Sequence, residues 1–256
     1  MLDDLTDDAL LGGRLRFQQP ARGYRVAIDP VLLAAAVPAS SGARVLDVGA
    51  GTGAASLCLA ARAPECQIVG LELQRELCRI ASHNVTQNGL EPQVQMVAGD
   101  LGRPPPRLTG ASFDHVMTNP PHLAARAATA APNRERALAH VEGNIDLANW
   151  FAGCVRMLKP GGMLTLIHRA ERSAEILAAL SGKVGDLVLF PLWTGAESRP
   201  AKRLIIQARK GTQGPLRLMR GLILHERDGE YTRAAEAILR HGKGLDLVPA
   251  RGGDDG

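Results

Sequence analysis

Aromatic residues are scarce in this 256-residue chain, with two Trp, two Tyr and four Phe making up 3% of it. Any surface that stacks a flat ligand must be built from very few side chains. Long apolar runs are missing as well. No segment approaches the roughly 18 residues that a membrane helix requires, and the acidic start Asp3-Asp4 to Asp7-Asp8 is the reverse of a signal-peptide leader. Both point to a cytoplasmic protein that does not engage a membrane. Cys58, Cys66, Cys78 and Cys154 show neither CxxC nor Cys/His ligand spacing, which favours free thiols over zinc or disulfides. Negative charge is absent from one stretch: between Arg199 and His225 there are seven Lys or Arg (Arg199, Lys202, Arg203, Arg209, Lys210, Arg217, Arg220) and no Asp or Glu. The run attracts phosphates if its members share a face, and is otherwise a set of solvated strand ends.

Hydrophobic residues at 45% and charged residues at 22% describe a chain able to bury a full core. Its length suits one α/β domain with small appendages. Residues 1–40 read as an N-terminal cap, including a short helix from Pro30 with Asp29 as N-cap. From Arg44 the signals alternate: strand Arg44–Val48, helix Ala54–Ala63, strand Gln67–Leu71, helix Arg75–Gln87 and strand Val94–Ala98. This rhythm implies a parallel sheet. Strands are further expected at Phe113–Thr118, Met163–His168, Asp186–Leu192 and Arg203–Ala208, the last two as an antiparallel pair, with helices at Ile145–Leu158 and Ala170–Leu180. The count is seven strands in a domain spanning 41–212. Residues 213–256 read as an extension packed on it, with a strand in Leu216–His225, a helix over Thr232–Arg240 and a disordered end. His122–Asn144 lacks a period and is expected to be a long functional loop.

The first strand ends in Asp47-Val48-Gly49-Ala50-Gly51-Thr52-Gly53. Glycine has no Cβ and tolerates positive φ, so Gly49, Gly51 and Gly53 allow a ligand close to the backbone. A dinucleotide fingerprint would be GxGxxG facing a pyrophosphate, yet position 54 is Ala and Asp47 precedes the loop. A carboxylate there suits a cation. S-adenosylmethionine carries a sulfonium and an ammonium and no phosphate; Glu72, ending the second strand, is placed for its ribose hydroxyls, and Asp100, after the third strand, for its adenine amine. The ordered set on three strand ends favours this donor over NAD, with a plain structural turn third.

The fourth strand closes on Asn119-Pro120-Pro121-His122. The Asn119 side-chain oxygen and the Pro120 carbonyl can draw the two N–H bonds of an exocyclic amine and turn its lone pair toward a methyl donor, a rate gain from alignment and charge. Pro121 stiffens the turn, and His122 offers a ring to stack on a flat acceptor. Alone, Asn-Pro-Pro would be a strand-ending turn; after this donor series it reads as the acceptor site.

The chain resembles the class I S-adenosylmethionine-dependent methyltransferases with an Asn-Pro-Pro-aromatic motif, specifically the bacterial adenine-37 N6-methyltransferases of valine tRNA. The likeness rests on Gln19-Pro20, Gly23-Tyr24-Arg25, Asp29, Leu32-Leu33-Ala34, the Gly loop, Gly70-Leu71-Glu72-Leu73-Gln74, Asn84-Val85, Thr118-Asn119-Pro120-Pro121, Leu166-Ile167-His168-Arg169 and Leu224-His225 with Tyr231-Thr232. The resemblance implies a Rossmann-like, seven-stranded, mostly parallel sheet of order 3-2-1-4-5-7-6 with helices on both faces. It implies S-adenosylmethionine as donor, an anticodon-loop adenine N6 in tRNA as acceptor, and Tyr24 and Arg25 closing the donor pocket. A single-stranded loop suits a base that must be splayed into a pocket. Enzymes acting on guanine N2 of ribosomal RNA or on a protein glutamine amide share the motif, and a non-catalytic S-adenosylmethionine- or RNA-binding protein is the third alternative. His122 departs from the family's usual Tyr or Phe. If it stacks on the acceptor, His122→Phe retains methyl transfer and His122→Ala loses it in a steady-state assay; equal rates for all three proteins would reject stacking.

Overall fold

The computed structural model describes residues 4–22, 25–108, 110–120, 146–196 and 200–248. Tyr24, Pro121, His122, Arg199, the expected loop His122–Asn144 and the end of the tail lie outside the described residues. A hairpin of β1 (Leu5–Leu10) and β2 (Leu15–Pro20) precedes helix α1 (Asp29–Ala36). Next come β3 (Arg44–Val48), α2 (Ala54–Arg62), β4 (Gln67–Glu72), α3 (Arg75–Gln87), β5 (Val94–Ala98) and β6 (Phe113–Thr118). They are followed by α4 (Leu147–Met157), β7 (Leu158–Arg169), α5 (Ser173–Leu180), β8 (Val184–Gly195), β9 (Arg203–Lys210), β10 (Arg217–Leu218), β11 (Leu222–His225) and α6 (Arg233–Leu239).

The seven expected strands lie in the order β5-β4-β3-β6-β7-β9-β8, which is 3-2-1-4-5-7-6 when counted from β3. β3 to β7 run parallel, and β9 is antiparallel to both its neighbours. Beyond the expected seven, β10 and β11 add parallel to the outer edge of β8. The expected Rossmann-like, mostly parallel sheet is therefore present, and the single strand expected in Leu216–His225 is divided into β10 and β11.

Alternation along the strands sorts side chains into two layers. Val45, Met117, Ile167 and Ile205 pack in one core with α1, α2, α6 and Phe17 of the hairpin. Leu46, Val48, Val116, Leu164, Leu166 and Ile206 pack in the other with Phe151 of α4 and Ile176 of α5. Helices thus cover both faces. Parity has a consequence at the strand ends: Asp47 shares the face of Val45, toward α2, and Thr118 shares the face of Val116, toward α4.

Two local expectations are corrected. Asp29 is inside α1, capped from Ile28, and its carboxylate serves Arg203 at 2.7 Å instead of the helix N-terminus. The strand expected from Met163 begins instead at Leu158, directly after α4, and runs through Lys159-Pro160-Gly161-Gly162 where its pairing with β6 shifts register.

Helix α3 ties the hairpin down. Asn88 exchanges two hydrogen bonds with the backbone of Arg16, its Oδ1 accepting from the N–H at 2.9 Å and its Nδ2 donating to the C=O at 2.7 Å. Asn84 does the same with Gln18, at 2.8 Å each way. Its second amide hydrogen goes to the carbonyl of Thr52 in the Gly loop at 2.9 Å, and its oxygen also accepts from Gln87 at 2.7 Å. All four hydrogen-bonding positions of this fully buried amide are thereby filled. Asn84→Ala strands buried partners on two segments, and about 2–3 kcal/mol of stability should be lost in denaturant titration; a loss below about 0.5 kcal/mol would show that these bonds are readily replaced by water.

Candidate active site

The carboxyl ends of β3, β4, β5 and β6 share one rim, since Val48 lies opposite Leu71 and Thr118, and Glu72 lies opposite Ala98. Strand order reverses between β3 and β6, where the open sheet leaves a crevice. The Gly loop follows β3 into that crevice. Gly49, Gly51 and Gly53 have φ of 72°, 56° and 89°, the left-handed region that a Cβ resists. Gly53 also caps α2 so tightly that a Cβ would meet Met96 Cε at 2.9 Å.

The loop's amides are spent internally. Gly49 and Ala50 N–H donate to Leu71 O at 2.9 and 3.1 Å, Gly53 N–H donates to Ala50 O at 2.8 Å, and Gly51 N–H donates to Glu72 Oε2 at 2.8 Å. The other Glu72 oxygen accepts from Gln74 N–H at 2.8 Å. Burial pushes the Glu72 carboxyl up, while hydrogen bonds from Gln74, Gly51 and Leu73 pull it down. These bonds do not exhaust the acceptor capacity of the carboxylate, which keeps room for a ligand. Leu73, half exposed beside it, offers an apolar surface.

Asp47 is 2% exposed and accepts from Ser56 Oγ of α2 at 2.7 Å. Burial pushes its carboxyl from 3.8 up to about 7, against the Ser56 hydrogen bond and with help from the Glu72 charge. Asp100 is exposed after β5, with Oδ1 accepting from Gly102 N–H at 2.8 Å. Arg25, after β2, donates to Asp8 at 2.9 Å and to Thr6 Oγ1 at 3.0 Å on β1.

Across the crevice, Asn119 follows Thr118 at the end of β6. Its Oδ1 is buried, and among the described residues no donor reaches it. Pro120 beside it is buried. The rim thus brings Asp47, Gly49, Gly51, Gly53, Glu72, Asp100, Asn119 and Pro120 together. A groove of about 600 Å³ lies elsewhere, lined by Gln67, Ser82, Glu91, Gln93 and Gln95 along α3 and β5, and includes none of them.

A methyltransferase-domain family model matches residues 39–185, more than half of the chain. The chain belongs to that family. Among curated relatives of this methyltransferase domain, the tRNA1(Val) (adenine(37)-N6)-methyltransferase of Aeromonas hydrophila subsp. hydrophila is 27% identical over 213 residues, covering 81% of this chain and 85% of the relative. The protein of that name from Porphyromonas gingivalis is 30% identical over 169 residues, 64% of this chain and 66% of the relative. In solved structures, a predicted O-methyltransferase from Agrobacterium tumefaciens superposes with a TM-score of 0.69 at 24% identity, covering 85% of this chain and 97% of that one. A precorrin-6y C5,15-methyltransferase from Geobacter metallireducens gives 0.51 at 14% identity over 71% of this chain and 87% of that one. These last two likenesses establish the fold alone.

Two residues at this rim have contacts that no spacing rule gives away. Asn84, noted in the sequence only as part of the family likeness, reaches Thr52 O of the Gly loop at 2.9 Å. Trp150, on α4, donates from Nε1 to Thr118 Oγ1 at 3.1 Å and covers Gly49. The basic run is divided by topology. Arg203 lies at the rim and pairs with Asp29, whereas Arg209 and Lys210 lie at the opposite edge of the sheet, donating to Gly161 O at 2.8 Å and Leu158 O at 2.6 Å.

Between about pH 4 and 7 the folded chain holds a proton on Asp47 that the unfolded chain has released, so stability drains away as pH rises through this window. His115, kept below its ordinary 6.5 by burial, works in the opposite sense as pH falls below 6.5. Subtracting wild type from Asp47→Asn removes the His115 contribution. In guanidinium titrations the variant should gain on the wild type across this window by a slope approaching about one proton; parallel curves would mean that Asp47 is ionised throughout.

Proposed function

We propose that this chain is an S-adenosylmethionine-dependent N-methyltransferase acting on the N6 amine of an adenine in the anticodon loop of tRNA. The observation that carries the reading is the buried Asn119 oxygen, which no donor among the described residues reaches, one strand away from the Gly loop. A buried acceptor left unpaired costs about 1–3 kcal/mol, an expense that an incoming N–H group removes.

The residues present fit the donor. A phosphate-binding loop needs free N–H groups, and four of the loop's amides are already bonded within the fold. Acidic side chains at Glu72 and Asp100 would repel a pyrophosphate and suit hydroxyls and an amine, while Asp47, whose carboxyl burial pushes up to about 7, ionises more readily once a cationic ligand arrives. On this reading Glu72 takes the ribose hydroxyls on its open positions, Leu73 lies along the adenine ring, and Asp100 accepts from its amine. Tyr24 and Arg25 remain candidates for closing the pocket. Bound there, the sulfonium supplies the methyl group and departs as a neutral thioether.

The chain's own residues supply alignment. Asn119 Oδ1 and the Pro120 carbonyl accept the two N–H bonds of the acceptor amine and aim its lone pair, while Pro121 and His122 continue the motif toward the acceptor base. The nitrogen becomes acidic as its new bond forms, so alignment and charge carry the rate and no strong base is required. Residues 41–212 hold this chemistry, with 1–40 as a cap and 213–256 as an extension of the same domain. The names of the curated relatives support tRNA as the acceptor. No helix among the described residues is long and apolar enough to cross a membrane; a cytoplasmic site of action is part of the proposal.

Incubation with labelled S-adenosylmethionine and total tRNA, ribosomal RNA and release factor from cells lacking the enzyme should place label in N6-methyladenine of tRNA. Label in guanine N2 or in a glutamine amide instead would overturn the acceptor. Asn119→Ala should abolish transfer while donor binding persists by calorimetry; wild-type turnover by this variant would remove Asn119 from the site.

A further inference from the structure

One indole touches both halves of the crevice. Thr118 is fully buried on the α4 face of β6, and its hydroxyl donates to Val48 O at 2.8 Å. The same hydroxyl oxygen accepts from Trp150 Nε1 at 3.1 Å. Val48 is the last residue of β3, directly before Gly49, and Thr118 is the last of β6, directly before Asn119. One hydroxyl therefore joins the peptides from which the donor loop and the acceptor motif both depart.

Trp150 adds a second hold. A Cβ on Gly49 would lie 3.2 Å from Cη2 and 3.3 Å from Cζ2 of its ring, so the indole rests on the Gly49 α-carbon where only glycine admits it. Packing alone does not call for this residue. Leu147, Phe151, Cys154 and Val155 already anchor α4 at the i, i+4, i+7, i+8 spacing of a buried stripe, whereas Trp150 is only partly buried at its rim end.

We propose that Trp150 is a positioning residue for methyl transfer. Its ring sets the Gly loop and its N–H, through Thr118, sets the end of β6, so that donor and amine meet at a fixed separation. The proposal rests on the donor and acceptor assignments above. Misplacement by about one ångström costs methyl transfer up to about a hundredfold, which gives a lever this size a measurable effect.

Trp193 is the other tryptophan, so in a Trp193→Phe background Trp150 becomes the sole indole reporter. Titrating S-adenosylhomocysteine should change its emission saturably, with a midpoint equal to the calorimetric Kd; no change would overturn contact between this ring and the donor site. Trp150→Phe keeps a ring over Gly49 and loses the N–H, and Thr118→Val loses the hydroxyl. Each should lower kcat by about tenfold or more with S-adenosylhomocysteine affinity within about threefold, and the double variant should be no slower than the slower single one. Thr118→Ser restores the rate. All are assayed below their own melting transitions. Unchanged rates, multiplying defects, or failure of Thr118→Ser to rescue would reject the shared hydrogen bond. Emission and affinity need no acceptor, so a failed tRNA assignment leaves those two readings intact and is told apart from a failed Trp150.

Discussion

The site depends on a carboxylate held by backbone. Glu72 accepts from Gly51 on one oxygen and from Gln74 on the other, so the loop after β3 and the turn after β4 hang from a single side chain. A charge that is 7% exposed would be costly without such donors. With them it organises the rim, because Gly49 and Ala50 reach the neighbouring Leu71 carbonyl and complete the same tie. What emerges is a cradle rich in acceptors and poor in spare donors. Its preference for cations and hydroxyls over phosphates follows from that count before any ligand is considered.

The same economy shapes the end of β6. Asn119 stands on the parity that faces away from α4, and Thr118 on the parity that faces it, so under the proposed function one residue serves the ligand and its neighbour the frame. A sheet whose parallel strands end together needs such frame residues, since the last carbonyl of each strand has run out of ladder. The Thr118 hydroxyl meets that need at Val48.

Much of the central sheet was legible because its strands are short, β-branched and punctuated by glycine, and the ordered acids at Asp47, Glu72 and Asp100 follow from those strand ends. Long-range partners were not legible. Asp29 reads as a helix cap from its neighbours Pro30 and Val31, and only the fold brings Arg203 to it from 174 positions away. The basic run reads as one patch because sequence distance is short, yet β9 spans the sheet, so Arg203 and Arg209 emerge at opposite edges. Trp150 was silent for another reason: its partners Gly49 and Thr118 follow one strand and end another, and no spacing rule relates the three. β10 and β11 were legible as one strand-like run, whereas the turn at Gly221, with φ of 84°, splits them.

The pairing of Asn84 and Asn88 with β2 makes a helix act as a neighbouring strand. Two residues along a strand advance about 6.6 Å, and four along a helix rise about 6.0 Å, so consecutive rungs match to within what a side-chain amide can absorb. The mismatch accumulates with every rung, which limits such a ladder to few rungs and keeps the covered strand short. The edge of β2 that faces away from β1 is thus sealed by side chains against joining another strand.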